Sequence, residues 1–412
     1  MTPEPTREAA LARLAAFLPA AGRRYAETRN ADDGPRDNAG RSNVSELSPW
    51  LHTGLIGEPE VLAAVLAAHS PRAAEKFIAE VFWRIYFKGY LEQRPAIWAD
   101  YVTGRDGALA AMERNAGLRT AYTQAVEGRT GIEAFDVWAQ ELARTGYLHN
   151  HARMWFASIW IFTLKLDWRL GADFFLRHLM DGDAASNTLS WRWVAGLHTK
   201  GKHYLARADN IARYTAGRPG GPLTAERLAD DADPLTEPQD YGRQPLDLPR
   251  PVLPADLAQP FALLLHDEAA HHAPLALPAA PALVIGAARP EARSPAAVGA
   301  LAQGFATGAV AGGMAEAAAA FGCPTAEWCS GEPLAALLAQ AGVSRIAVPY
   351  LPTGWTRDAL RADLAPLEAD GRAVTLLGDL DRATWPHAKA GFFGVAKAID
   401  SLLAECGITG SA

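Results

Sequence analysis

The sequence predicts a two-domain chain of α and α/β class, with a mostly helical domain followed by a doubly wound parallel sheet. Three observations point there. Before Arg218 the chain forms long helix-compatible runs rich in Trp, Phe, Tyr and Arg, with few β-branched residues. From Pro219 to Pro254, prolines, glycines and acidic residues interrupt every periodic pattern. Beyond that stretch, short apolar runs alternate with helical ones, as βαβ units require. The expected division is therefore a helical domain over 1–218, an extended connector over 219–254 and an α/β domain over 255–412.

Taken in order, the opening MTPEPTREAALARLAAFL carries acidic residues early and lacks a basic-then-apolar layout, so it reads as an amphipathic helix rather than a signal peptide. Lys76–Tyr90 and Gln140–Arg177 are the strongest helical runs. Phe261–His266, Ala282–Ala287, Arg345–Tyr350 and Ala373–Leu377 are the strand candidates, with helices between them. Leu301–Gly322 is nearly uncharged but consists mainly of Ala and Gly and includes Glu316, which argues against a membrane span. Gly304, Gly308 and Gly312 recur every fourth residue there, a smooth stripe for close packing and not the GxGxxG of a nucleotide fingerprint.

Composition bounds the chemistry. Of 412 residues, 49% are hydrophobic and 21% charged, which excludes a disordered chain, and the net charge of −7 excludes a generic polyanion binder. Any nucleic-acid contact must be local, and one run qualifies: Arg192, Lys200, Lys202, Arg207, Arg213 and Arg218 stand against Asp209 alone. Three cysteines make neither a four-thiolate cluster nor a disulfide framework and fit a reducing cytoplasm. His266 and His271, spaced i and i+5, fall about 140° apart on a helix, so no zinc site is expected from HDEAAHH.

The densest functional cluster spans Gly146–Gly196. On a helix, Asn150, Arg153 and Met154 share one face, and Asp181 and Asp183 follow in a DGD turn where buried carboxylates need partners. Glu80, Trp83, Arg84 and Phe87 repeat the theme at i, i+3, i+4 and i+7. Two helices that carry charges and aromatics on one face suggest a cofactor pocket.

These segments, from about Tyr25 to Arg218, resemble the flavin-binding domain of the DNA photolyase/cryptochrome family. The resemblance implies FAD as cofactor, with contacts from Tyr25, from Ser45, Leu47 and Ser48 in SNVSELSPWLHTG, and from Phe77, Arg84, Arg153, Asp181, Asp183 and Asn187. Small hydroxyls and helix-start amides would cradle a pyrophosphate. Asn187 stands where plant-type cryptochromes carry an aspartate, and it is expected opposite the isoalloxazine N5, which favours reduced-flavin chemistry. Glu80, Trp83, Asn150, Met154 and Trp193 match the residues that meet a flipped pyrimidine dimer. Asn150 replaces the histidine of members acting on (6-4) photoproducts and thereby favours cyclobutane dimers. The family pattern assigns electron transfer to Trp191 and then Trp168, while Arg192, Lys200, Lys202 and Arg207 are expected on DNA phosphates.

Three departures accompany the match. The family's distal tryptophan has no counterpart at its usual spacing, where Asn115 falls, so the electron route is expected to end elsewhere, with Trp160 and Trp155 as candidates. Phe77 replaces a tryptophan common near the adenine. The α/β antenna domain is absent before Met1, and residues after the connector resemble it instead: ALLLHDEAAHHAPLAL its first strand and loop, PALVIGA its second strand, and TWPHAKAGFFGVAKAI the segment leading into the flavin domain. The resemblance thus implies a circularly rearranged photolyase, with no antenna chromophore identified, acting on DNA that contains pyrimidine dimers. The alternative it implies is a cryptochrome-like blue-light photoreceptor without repair.

Overall fold

The computed structural model describes residues 3–35 and 40–409. The helical part starts with Arg7–Phe17, whose buried Ala10, Leu14 and Phe17 form the apolar stripe that the sequence suggests, and Thr6 caps its first turn. The long helix Pro71–Glu92 starts on a Ser70 cap with Pro71 in the first turn, where a missing N–H costs nothing. It buries Phe77, Ile78, Val81, Phe82 and Ile85, leaving Glu80, Trp83, Arg84 and Lys88 on a partly accessible face.

The Gln140–Arg177 run is not one helix. Gly146, at φ 65°, ends the helix Glu133–Thr145; Asn150–Ser158 continues into a widened π turn over Ile159–Thr163; Asp167 then caps Trp168–His178. Glycine's freedom at positive φ and the Asp cap override the helical periodicity. Ala184–Ala195 follows, capped by Asp183, whose Oδ1 accepts from Ser186 N at 2.7 Å.

After residue 218 the chain lacks regular structure until Pro254–Leu257, yet it is not loose: Leu223 and Ala225 are buried in the helical core. Five parallel strands follow, β1 Phe261–His266, β2 Leu283–Ala287, β3 Thr325–Glu327, β4 Arg345–Pro349 and β5 Ala373–Leu376, in the order β3-β2-β1-β4-β5. The order reverses between β1 and β4, the mark of a doubly wound sheet. β1 and β2 are buried throughout and read as continuous apolar runs, whereas β3 has only one partly buried residue, so no apolar run announces it.

The uncharged Leu301–Gly322 stretch is the helix Ala300–Phe321, and among the described residues no helix is long and apolar enough to cross a membrane. Its glycine stripe does not make the expected close packing on a sheet or helix: Gly308 faces Pro5 and Gly304 faces open space. Gly313 makes the close approach, since a Cβ there would lie 1.7 Å from Ala270 O. Beyond β5 the chain returns to the long helix Pro71–Glu92. Trp385 packs on Gly89, where a Cβ would come within 2.6 Å of the indole, and the Gln93 amide donates to Trp385 O and Ala388 O.

Candidate flavin and DNA site

The DGD turn joins Trp168–His178 to Ala184–Ala195 and gathers the charges. Arg153 grips Asp181 through both guanidinium nitrogens, Nη2–Oδ2 at 2.9 Å and Nη1–Oδ1 at 3.3 Å, while its Nε donates to Leu148 O at 3.0 Å. Burial alone would raise the Asp181 carboxyl, but Arg153 and the Ser48 hydroxyl outweigh it and hold the group below the ordinary carboxylate range. Asp183 behaves likewise: burial opposes its charge, and Arg84 at 3.3 Å, with His52 and Lys88, drives it well below that range. Arg84 is shared, its Nε donating to Glu58 at 2.8 Å.

One turn into the next helix, Asn187 Nδ2 donates to Ala172 O at 2.8 Å. One of its two N–H donors is thus committed, and Oδ1 remains to accept an N–H. Tyr25 and Phe77 meet edge to face at 5.2 Å beside Phe17, and burial, then Glu80, pushes the Tyr25 phenol above its ordinary range. In the preceding loop, Ser45 Oγ accepts from Leu47 N at 3.4 Å and Arg13 Nε donates to Ser45 O at 2.8 Å, so the Arg13 side chain anchors the expected phosphate loop through a backbone carbonyl.

The expected lesion-side residues all retain some exposure, but two are engaged. Glu80 pairs with Arg29 at 2.7 Å, and Trp83 stacks on Phe392 with ring centroids 4.0 Å apart and planes 14° apart. Asn150 is exposed, Met154 is half-buried, and Trp193 is 37% exposed and lies against Tyr204 at 5.8 Å. Trp191 and Trp193 diverge as the helix demands, Trp191 being 2% exposed. The aromatic neighbours of Trp191 are Phe156, Trp160 and Phe175, whereas Trp168 lies against Tyr101.

The basic run needs a correction. Arg192 does not face solvent: it is 4% exposed, its Nη1 donates to Glu237 at 2.7 Å, and it lies over Tyr241. A phosphate would have to displace a carboxylate from a desolvated pair, so Arg192 is removed from the expected DNA contacts. Lys200 and Arg207 are exposed beside Asp240 and Asp209, and Lys202 is exposed as well. The acidic connector supplies Glu237 and Asp240, which the composition of the basic run by itself could not show.

Other participants come from far along the chain. His52 is wholly buried among Asp183, Glu268 and Trp355, and burial keeps its imidazole neutral. His52, Asp183 and Glu268 bring ligand atoms within 4.8 Å of one another, but Lys88 Nζ sits 2.9 Å from Glu268 and 3.9 Å from Asp183, so an ammonium already balances the carboxylates. Arg293, after β2, donates to Leu179 O at 2.8 Å, and Trp355 Nε1 donates to Gly182 O at 2.9 Å. The α/β part thus clamps the DGD turn. His266 and His271 serve separate partners, Pro349 O and Glu316.

Comparisons with known proteins match the helical part of the chain. Residues 77–216 match the family described as the FAD binding domain of DNA photolyase. A deoxyribodipyrimidine photo-lyase of Streptomyces griseus is 33% identical over 246 residues, 55% of this chain and 49% of that protein. One from Thermus thermophilus is 36% identical over 203 residues, 49% of this chain and 46% of that one. A cryptochrome DASH of Ostreococcus tauri is 33% identical over 213 residues, 50% and 36% of the respective chains. A solved class III photolyase from Agrobacterium tumefaciens aligns at 26% identity over 51% of this chain and 42% of that chain, with a TM-score of 0.41. The chain spans about half the length of the curated relatives it matches. Through this matched region, the helical part of the chain is similar to the FAD binding domain of DNA photolyase.

Proposed function

We propose that this chain binds FAD and uses light to split cyclobutane pyrimidine dimers in DNA, with dimer-containing DNA as its partner. The observation that carries the reading is the DGD constellation: Arg153–Asp181 and Arg84–Asp183 fixed in place, and the free Oδ1 of Asn187 one turn later. Those residues fit a flavin. An Oδ1 acceptor suits the N5–H of its reduced form, the partly exposed Arg153 guanidinium suits the polar edge of the ring, and Ser45 and Ser48 suit a pyrophosphate.

When bound, FAD would supply light absorption and the electron that opens the cyclobutane ring. The chain supplies binding and orientation. Trp83 and Trp193 would wall the cavity that takes the flipped dimer, Glu80 and Asn150 would hydrogen-bond base edges, and Met154 would fill the apolar side. Lys200, Lys202 and Arg207 would hold phosphates. In this reading the doubly wound sheet stands in for an antenna domain placed after the flavin domain, over 255–412, with the connector over 219–254.

A second reading, a photoreceptor without repair, is favoured by one pair of contacts: Arg29 on Glu80 and Phe392 on Trp83 both engage groups that a dimer would need. Reconstitution of the protein with FAD followed by redox titration of Asn187→Asp tests the flavin assignment. A carboxylate at N5 should disfavour the reduced state. Folded protein that takes up no FAD, or an unchanged titration, contradicts it.

A further inference from the structure

The family's distal tryptophan is missing at Asn115, which serves as the N-cap of Ala116–Val126, its side chain accepting from Leu118 N at 3.0 Å. Two aromatic paths nevertheless leave the neighbourhood of Trp191. Gly171 packs on its indole, since a Cβ there would lie 2.3 Å from Cη2, and Trp168 lies one turn earlier on the same helix. From Trp168 the rings continue to Tyr101 at 5.7 Å and from Tyr101 to Trp98 at 5.2 Å, both tilted by about 35°. The other path runs from Trp191 to Trp160 at 6.2 Å and to Tyr122 at 5.9 Å.

Charge and proton acceptors separate the two. An oxidised phenol must lose its proton, yet Tyr122 receives a hydrogen bond from the Arg177 guanidinium at 2.7 Å, a cation that accepts no proton and repels a positive hole. On the first path, Arg169 lies 5.2 Å over Trp168, and Arg105 lies 5.9 Å from the Tyr101 ring centroid. Each of these guanidinium groups is itself paired with a carboxylate, Arg169 with Asp167 and Arg105 with Asp106. Trp98 is different: its Nε1–H donates to Asp358 Oδ2 at 2.7 Å, and Asp358 is exposed. On this path Trp98 is the ring whose own N–H is hydrogen-bonded to a carboxylate, which stabilises a hole there and gives its proton an acceptor.

The geometry points to Trp98 as the distal electron donor of this chain, with Asp358 of the α/β part as its proton acceptor. Tyr101 serves as a bridging ring, because its buried hydroxyl makes no hydrogen bond to a proton acceptor among the described residues. The inference rests on FAD binding beside Trp191 as proposed above. Under light, Trp98 gives up one electron, which oxidised FAD takes up by way of Trp168 and Trp191. The Nε1 proton passes to the Asp358 carboxylate and leaves a neutral indolyl radical. A thiol in solution returns one electron and one proton to that radical.

Full-length protein loaded with FAD is illuminated with and without dithiothreitol while flavin and tryptophan-radical absorbance are followed. Trp98→Phe should slow flavin reduction at least tenfold and remove the long-lived neutral radical, with FAD content kept. Asp358→Asn should leave the initial transfer in place but hold the radical in its protonated form, shortening its life severalfold by recombination. Tyr122→Phe should behave as the parent. Parental rates in Trp98→Phe, or the loss appearing in Tyr122→Phe instead, overturn the assignment alone. If Trp98→Phe does not retain FAD, Asp358→Asn decides, and a parental yield of neutral radical overturns it. A parent protein that takes up no FAD overturns the flavin reading itself.

Discussion

Asp181→Asn removes the negative partner of Arg153 while keeping the side chain's size. Two hydrogen bonds, at 2.9 and 3.3 Å, lose their charge assistance, and the Ser48 hydroxyl loses its carboxylate. Breaking a fully buried ion pair costs about 3–5 kcal/mol, because the remaining charge is left unpaired. Asp181 is buried, but the Arg153 side chain is 25% exposed, and water can take over part of its solvation. The expected loss is therefore about 2–3 kcal/mol. If that loss falls on the flavin-bound state, FAD retention weakens about 30- to 150-fold. The fluorescence of released FAD measures the second quantity and urea unfolding of the FAD-free protein the first. If both stay within about 0.5 kcal/mol of the parent, the pair does not organise the site.

Three further outcomes follow from other contacts. Burial raises the Asp267 carboxyl from 3.8 to about 7, so the folded state holds a proton that the unfolded state releases, and stability should fall as pH rises from about 4 to 7; Asp267→Asn should remove up to roughly 4 kcal/mol of that fall in urea titrations at several pH values. Lys200→Ala combined with Lys202→Ala should reduce the slope of log affinity for DNA against log salt by about 2, and an unaltered slope would place the DNA elsewhere. Phe392→Ala should open one face of Trp83 to an aqueous quencher, a gain that should disappear when Trp83→Phe is added; unchanged quenching would mean that the stack at 4.0 Å does not persist in solution.

What could be read from the sequence was local. The apolar and charged spacing along Pro71–Glu92, the shared face of Asn150, Arg153 and Met154, and the buried runs of β1 and β2 are properties of neighbouring residues. What escaped was tertiary. Arg192 looked like a phosphate ligand because Glu237, its partner, lies 45 residues on. Lys88 and Glu268, 180 residues apart, join only when the two parts of the chain pack together. β3 carries too little buried surface to show an apolar run, and Trp98 drew no notice because the carboxylate that gives it meaning is Asp358, 260 residues away.

The central claim is that this chain repairs dimers by light through a flavin held at the DGD turn. The most direct test supplies FAD-loaded, chemically reduced protein with an oligonucleotide carrying one cyclobutane dimer and counts intact pyrimidines after blue light and after darkness. The account predicts light-dependent restoration, absent in the dark and sharply reduced in Trp83→Ala, whose stacking is worth roughly 1–3 kcal/mol per base. Flavin that reduces in light while dimers stay intact would contradict it and leave the photoreceptor reading in its place.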